Sequence, residues 1–419
     1  MSNHKIQHKL WDFPWAYVES FLIYSGLLIT GFLMEIFFPL KTTAGMVFPY
    51  NLFILVGIIT CIIILQLFFH KHLFVKWLSS VHAAIISMVF IFLMVMIMGI
   101  IPQIKSESTI IQLLGLNSIT THWAFLLILW VFLISLGLTT FKRILKFNIP
   151  NIGFILNHLG LFIALSTGIL GAGDTQRLSL ELEENTPNWM AYNQKTKTRV
   201  ELDFAIYLKD FKVDEFQPKL AFVDNSTGEI IHNNGKNLYL INQGEQYFFN
   251  EYEIKINKYL SSSGRIGEVY QFVNDVGAPP SSLLTIKNTK TNKTVTGWIS
   301  SGSFLHQYES LKIDEKVSVV MTLPEVKKFT SEVSILQKNG EKIETTIEVN
   351  KPFDFNGWKI YQLSYDEKMG KWSNTSVLEL VKDPWLKYVY IGIFMMIAGA
   401  IYMFWAGAKF KKENNHDLD

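Results

Sequence analysis

"NHLGLFIALSTGILGAGDT", residues 157–175, is the stretch on which both fold and function turn. It belongs to an apolar run long enough to cross a bilayer, which takes about 20 mostly apolar residues. Yet His158 stands well inside that run, on the order of 10 Å along a helix axis from its start. A polar ring in hydrocarbon must find a partner for its nitrogens. The residues alone leave two readings open, a functional site or a hydrogen bond to a neighbouring helix.

Working outward, six segments have the length and apolarity of spans: roughly 19–39, 50–69, 81–101, 123–141, 152–172 and 386–406. Glu19 and Glu35 make the first the least clean. The first segment is too long for a signal-peptide core and no small-residue cleavage site follows it, so the N-terminus is expected to be uncleaved. One set of short flanks holds Lys5, Lys9, Lys71, Lys76, Lys142, Arg143, Lys146, Lys409, Lys411 and Lys412, and the other only Lys41 and Lys105. By the positive-inside rule both termini are expected in the cytoplasm and residues 174–384 outside. The expected fold is therefore an α-helical polytopic membrane protein of about six spans, with a large β-rich extracytoplasmic domain inserted before the last helix. Its parts are two N-terminal helices (1–78), a three-helix core (79–173), the outer domain (174–384), a final helix (385–407) and a cytoplasmic tail (408–419).

The net charge of +2 is spread among membrane flanks and offers no nucleic-acid surface. The lone Cys61, inside an apolar run, excludes an intrachain disulfide and any CxxC pattern.

Within 174–384, Val200, Leu202, Phe204, Ile206 and Leu208 alternate with mostly polar neighbours, and "EYEIKINKYL" repeats that period of two. "SEVSILQKNGEKIETTIEV" reads as a hairpin turning at Asn339-Gly340, with a type I′ turn expected. No nucleophile elbow, HExxH, Walker loop or glycine-rich fingerprint is present. His232 and His306 lack metal-ligand spacing and read as solvated loop residues.

Depth separates the membrane-half histidines. His4, His8 and His416 lie in polar tails. His70, His72, His82 and His122 lie in or near the loops, where an imidazole is expected to reach water. His158 alone is deep. On a helical wheel it shares a face with Phe162, Leu165 and Ile169, whereas Gly160, Ala164, Thr167 and Gly171 form a small-residue stripe suited to close helix packing. Zinc would want three or four clustered ligands. A single imidazole among bulky apolar groups suits haem better, though a core helix carrying a hydrogen-bonded histidine looks the same.

The stretch around residues 157–177 resembles the third core helix of the ResB (CcsB) family of cytochrome c biogenesis proteins, where a His-Leu pair opens an apolar helix ending in Gly-x-Gly. "LLGLNSITTHWAFLLILWVFLISLGLTTFKR" resembles the family's second helix and "SSVHAAIISMVFIFLMVMIMGIIPQ" its first. "FNGWKIYQLSYDEKMGKWSNTSVLELVKDPWLKYVYIGIFMMIAGAIYMFW" resembles the closing element, with its Gly-aromatic-x-x-Tyr-Gln strand, Ser-x-Leu run and Asp-Pro lead into the last helix. The likeness covers roughly residues 80–407. The first two spans are additional to the family's four-helix core, and about 215–330 has no quotable counterpart.

The resemblance implies a non-catalytic or co-catalytic subunit of a System II cytochrome c synthase in the bacterial cytoplasmic membrane. With a CcsA-type tryptophan-rich membrane partner it would carry haem b as a transported substrate. The haem would be presented reduced to the CxxCH motif of apocytochrome c, whose cysteines a thioredoxin-like thiol reductant keeps open. The family's transmembrane histidine, an axial ligand to the haem iron, falls on His158, with Phe162 and Leu165 as apolar neighbours. Arg177 and Arg199 are possible partners for haem carboxylates if the haem sits near the outer end. The resemblance implies that the opposing histidine and the tryptophan-rich haem-handling loop belong to the partner; this chain has no WGxxWxWD segment and so looks like half of the machine. The alternatives are a cytochrome b-type electron-transfer subunit, which needs a second deep histidine, and a structural or sensor protein that tolerates one.

Overall fold

A computed structural model of the chain describes residues 10–40, 47–232 and 237–414, with backbone alone over 406–414. His4, His8, His416, Lys5, Lys9 and Lys41 lie outside the described residues. Among the described residues six helices are long and apolar enough to cross a membrane, and the protein is a multi-pass membrane protein with a large β domain before the last of them.

The helices are α1 (Tyr17–Phe37), α2 (Tyr50–Phe68), the short α3 (Leu73–Leu78), α4 (Val81–Ile100), the short α5 (Thr109–Leu113), α6 (Trp123–Leu145), α7 (Ile152–Gly171) and α8 (Leu386–Asn414). Residues 1–175 and 383–419 form one compact unit, and residues 176–382 a second. In the first, α6 is central. It packs against α1, α2, α4 and α7, and Ile128, Leu133, Leu136 and Leu138 fill the core with Tyr24, Trp77 and Phe90.

The two carboxylates of α1 are helix caps. Glu19 Oε2 accepts from the Ala16 backbone at 2.9 Å. Glu35 Oε2 accepts from the Trp123 backbone at 3.1 Å, at the opening of α6. Each meets backbone N–H groups that a helix leaves unpaired, which is how buried acids are tolerated in an otherwise apolar helix.

In the β domain an eight-stranded antiparallel sheet runs in the order 342–348, 326–337, 198–215, 187–193, 176–183, 375–382, 358–365, 353–355. The expected alternation is the inward row of strand Thr198–Glu215, where Leu202, Phe204, Ile206 and Leu208 are buried. Each such side chain contributes on the order of 1.5–3 kcal/mol by leaving water. At Lys209 the parity changes. Asp210 pairs with Glu332 and Leu208 with Val333, so one residue is extra, and the inward row continues as Phe211 and Val213. This is a β-bulge, and it keeps an 18-residue strand buried on one side as it bends.

The long strands 198–215 and 326–337 are a hairpin whose turn has been replaced by a second β structure. Phe216 N donates to Glu325 O at 2.8 Å, and Thr322 N to Lys219 O at 2.8 Å, which closes the neck. Between them, two four-stranded sheets (246–249, 252–260, 281–288, 294–300 and 219–224, 238–240, 311–312, 317–321) enclose a core of Phe222, Phe249, Ile254, Ile256, Leu284 and Val319. The stretch without a quotable counterpart is in the main this inserted sandwich.

The type I′ turn needs correction. Gly340 has φ +87° but Asn339 has no positive φ. Gly340 N donates to Gln337 O and Gln337 N to Glu341 O, each at 3.0 Å. Three loop residues require an ordinary turn followed by a left-handed glycine, whereas a I′ turn needs two residues, both at positive φ. The I′ geometry occurs instead at Asn356-Gly357 (φ +48° and +80°), between paired Phe355 and Trp358.

Candidate functional site

His158 is held by the turn that joins α6 to α7. The Asn148 side chain accepts from Asn151 N at 3.1 Å, and Pro150, whose missing N–H is no loss there, stands in the first turn. The Tyr402 hydroxyl of α8 donates to Ile149 O at 3.0 Å. α7 then lies along α8 through the expected small-residue stripe. A Cβ at Gly160 would sit 2.6 Å from Gly392 O, and one at Gly392 2.5 Å from Gly160 O, so only glycine permits this backbone approach. Ala164 shares that contact and Gly171 meets Trp385.

His158 lies on a different side of α7, half-buried. Its Nδ1 is 3.0 Å from the Phe154 carbonyl oxygen, one turn earlier. A carbonyl can only accept, so Nδ1 carries the proton, and in the neutral ring Nε2 keeps its lone pair. The imidazole also stacks on the Phe154 ring, centroids 3.6 Å apart and planes 20° apart. The Arg143 guanidinium, from the last turn of α6, stands 4.2 Å from that ring's centroid. Its Nη1 donates to Asn151 Oδ1 at 2.9 Å.

The other named residues fall as follows. Phe162 is buried in the helical core, facing Gly137 and Ile62. Leu165 is half-buried against the same cluster. Arg177 is exposed and stands 3.9 Å from Glu379. His232 is exposed, and His306 stands 6.4 Å from the Trp372 ring. The structure also sets Arg143 and Phe154 beside His158, a juxtaposition with no sequence signal. Arg143 read only as a topology marker, and nothing in a linear sequence sets it against Phe154.

His122 differs from expectation. It does not reach water: it is 0% exposed, its Nε2 lies 3.0 Å from Leu114 O, and its Nδ1 accepts from Ala124 N at 3.0 Å. It caps α6 with its lone pair, which is the opposite tautomer from His158. Capping also explains its burial, because both nitrogens are satisfied without solvent. Gly137 faces Phe162 and Arg143 faces Phe154, so His158 is level with about residue 140 of α6. That is roughly 27 Å along the axis from His122 at 1.5 Å per residue. His82 lies on α4, edge-on to Tyr17 with centroids 4.6 Å apart, and α4 packs on α1 and α6. No cluster of three or more metal-binding side chains occurs among the described residues.

A family model described as the ResB-like family matches residues 310–377. That stretch is ResB-like. It runs from the second sheet of the inserted sandwich through strands 326–337, 342–348, 353–355 and 358–365 into 375–382. The match points to cytochrome c biogenesis. The ResB-like stretch begins inside the region that had no quotable counterpart and does not reach α7. Among curated proteins, none matches the chain.

Proposed function

We propose that the chain is a ResB-like subunit of a System II cytochrome c synthase. With a CcsA-type partner it moves haem b across the membrane and presents it to apocytochrome c on the side of the β domain. The observation that carries this reading is the 3.0 Å contact of His158 Nδ1 with Phe154 O: a carbonyl there calls for Nδ1–H, which leaves the lone pair on Nε2, on a half-buried face. Metal-bound histidines characteristically donate their other ring nitrogen in this way. Haem bound there would supply iron for Nε2 and an apolar macrocycle for Phe154 and Leu165, while Phe162, one turn further along the same face, packs into the helical core beside Gly137.

One imidazole holds haem weakly. A site completed by a second chain binds when the complex forms and releases cargo when it opens. The cytochrome b-type reading is disfavoured, because the fully buried His122 has no free nitrogen and lies at the far end of α6.

The test is co-purification with a tryptophan-rich membrane partner and an optical spectrum of wild type and His158→Ala. Haem content should fall sharply in the variant, and an unchanged Soret band refutes the ligand assignment. Deletion of the gene should abolish haem-stained c-type cytochromes; normal maturation, with no paralogue, refutes the role.

A further inference from the structure

The geometry points to Arg143 as the anchor for the carboxylates of the haem that His158 ligates. This rests on the haem reading of His158 and adds an orientation to it. Haem is a planar apolar ring with iron at its centre and two propionates at one edge. A protein that grips it needs a nitrogen ligand in an apolar setting and a cation displaced to one side, toward water. The end of α7 supplies that sequence of groups. The His158 imidazole and the Arg143 guanidinium both lie within 4.2 Å of the Phe154 ring centroid, and Phe154 is one turn nearer the helix start than His158.

Arg143 is held without being neutralised. Asn151 takes one of its five N–H donors, and Asn151 is uncharged. Among the described residues no carboxylate lies within ion-pair distance of it. The α6 C-terminus offers it only the partial charge of the helix dipole. Its remaining donors suit a carboxylate. Lys142 and Lys146 share the same flank, but among the described residues it is Arg143 whose side chain lies over the Phe154 ring that His158 stacks on. With the propionates at Arg143, the haem's edge points toward the α6–α7 turn and its vinyl edge away from it.

The experiment titrates the full-length chain, co-purified with its tryptophan-rich membrane partner and reconstituted in lipid nanodiscs, with reduced haem and with its dimethyl ester, reading the Soret band. Wild type should bind the free acid about tenfold more tightly than the ester, the size expected of a hydrogen-bonded charge pair. Arg143→Gln should bind the acid as weakly as the ester while leaving ester binding unchanged, which also reports that the variant is folded. Arg143→Lys should keep part of the preference. Equal acid binding by wild type and R143Q, alongside loss of both ligands in H158A, overturns the anchor and leaves the ligand assignment standing. Binding by H158A equal to wild type, or none by wild type, overturns both. A wild type that binds acid and ester alike overturns the anchor, and leaves Arg143 as a lipid-facing charge.

Discussion

The indole nitrogen of Trp385 donates a 2.6 Å hydrogen bond to Asp174 Oδ2, tying the end of α7 to the start of α8. The same carboxylate accepts from Asn51 Nδ2 at 2.7 Å and from Phe48 N at 2.8 Å, which brings in the start of α2. Three helix termini thus share one acceptor, and Asn51 also donates to Leu170 O at 3.1 Å. Burial by itself raises the Asp174 carboxyl, but the bonds from Phe48, Asn51 and Trp385 together hold it below the usual aspartate range.

The pH dependence follows. A pKa depressed on folding contributes stability that is present above the unfolded value, about 3.9, and lost as pH falls through the folded value. Asp174→Asn should lower the thermal midpoint of the detergent-solubilised protein at pH 7. Its deficit relative to wild type should shrink as pH drops below about 4. A deficit that stays constant with pH would mean that the charge plays no part.

Ser331, Gln362 and Ser376 form a closed ring inside the β domain. Ser331 donates to Gln362 Oε1 (2.6 Å) and Gln362 Nε2 donates to Ser376 Oγ (2.9 Å). Ser376 and Ser331 stand 2.7 Å apart, where Ser376 has the remaining proton to give. These strands are not all neighbours in the sheet, so the ring is evidence that the sheet curls over its own core. Ser376→Ala should cost about 1–3 kcal/mol, because it strands buried partners. Replacing all three with apolar residues should recover most of that loss. Hydrogen exchange of strands 326–337 and 358–365 would show it, and a triple variant worse than the single one contradicts the reading.

Gly160→Ala places a methyl against the Gly392 carbonyl. Overpacking of this kind costs about 1–3 kcal/mol, and it should shift α7 against α8, moving His158 with it. Both thermal midpoint and haem affinity are expected to fall. Gly168→Ala, whose Cβ meets only Val389 at 3.7 Å, is the matched control and should change neither.

His122→Ala removes a helix cap and unpairs Leu114 O, so stability should fall by about 1–2 kcal/mol. Haem bound per folded protein should not change. A lost Soret band in this variant would contradict the placement of the haem site at His158.

The motifs that carried the family resemblance divide in the structure between architecture and site. Gly357 of the Gly-aromatic-x-x-Tyr-Gln strand supplies a left-handed turn residue. Gln362 and Ser376 make the buried ring, and Asp383 Oδ1 accepts from the Trp385 and Leu386 backbones at 3.1 Å to start α8. His158 remains the motif residue whose chemistry folding does not use up.

The amino-acid sequence by itself determined the six apolar helices, the β domain before the last of them and the glycine stripe of α7. Each is a local period or run, and hydrophobic burial acts on it wherever the chain goes. Only the tertiary structure decided the rest. Which nitrogen of His122 or His158 keeps a lone pair depends on which carbonyl lies beside the other. The joining of Arg143 to His158 through Phe154 depends on the turn between α6 and α7. The closing of the Ser331–Gln362–Ser376 ring depends on how far the sheet curls. Such contacts join groups from separate helices or strands, and packing geometry rather than sequence period sets them.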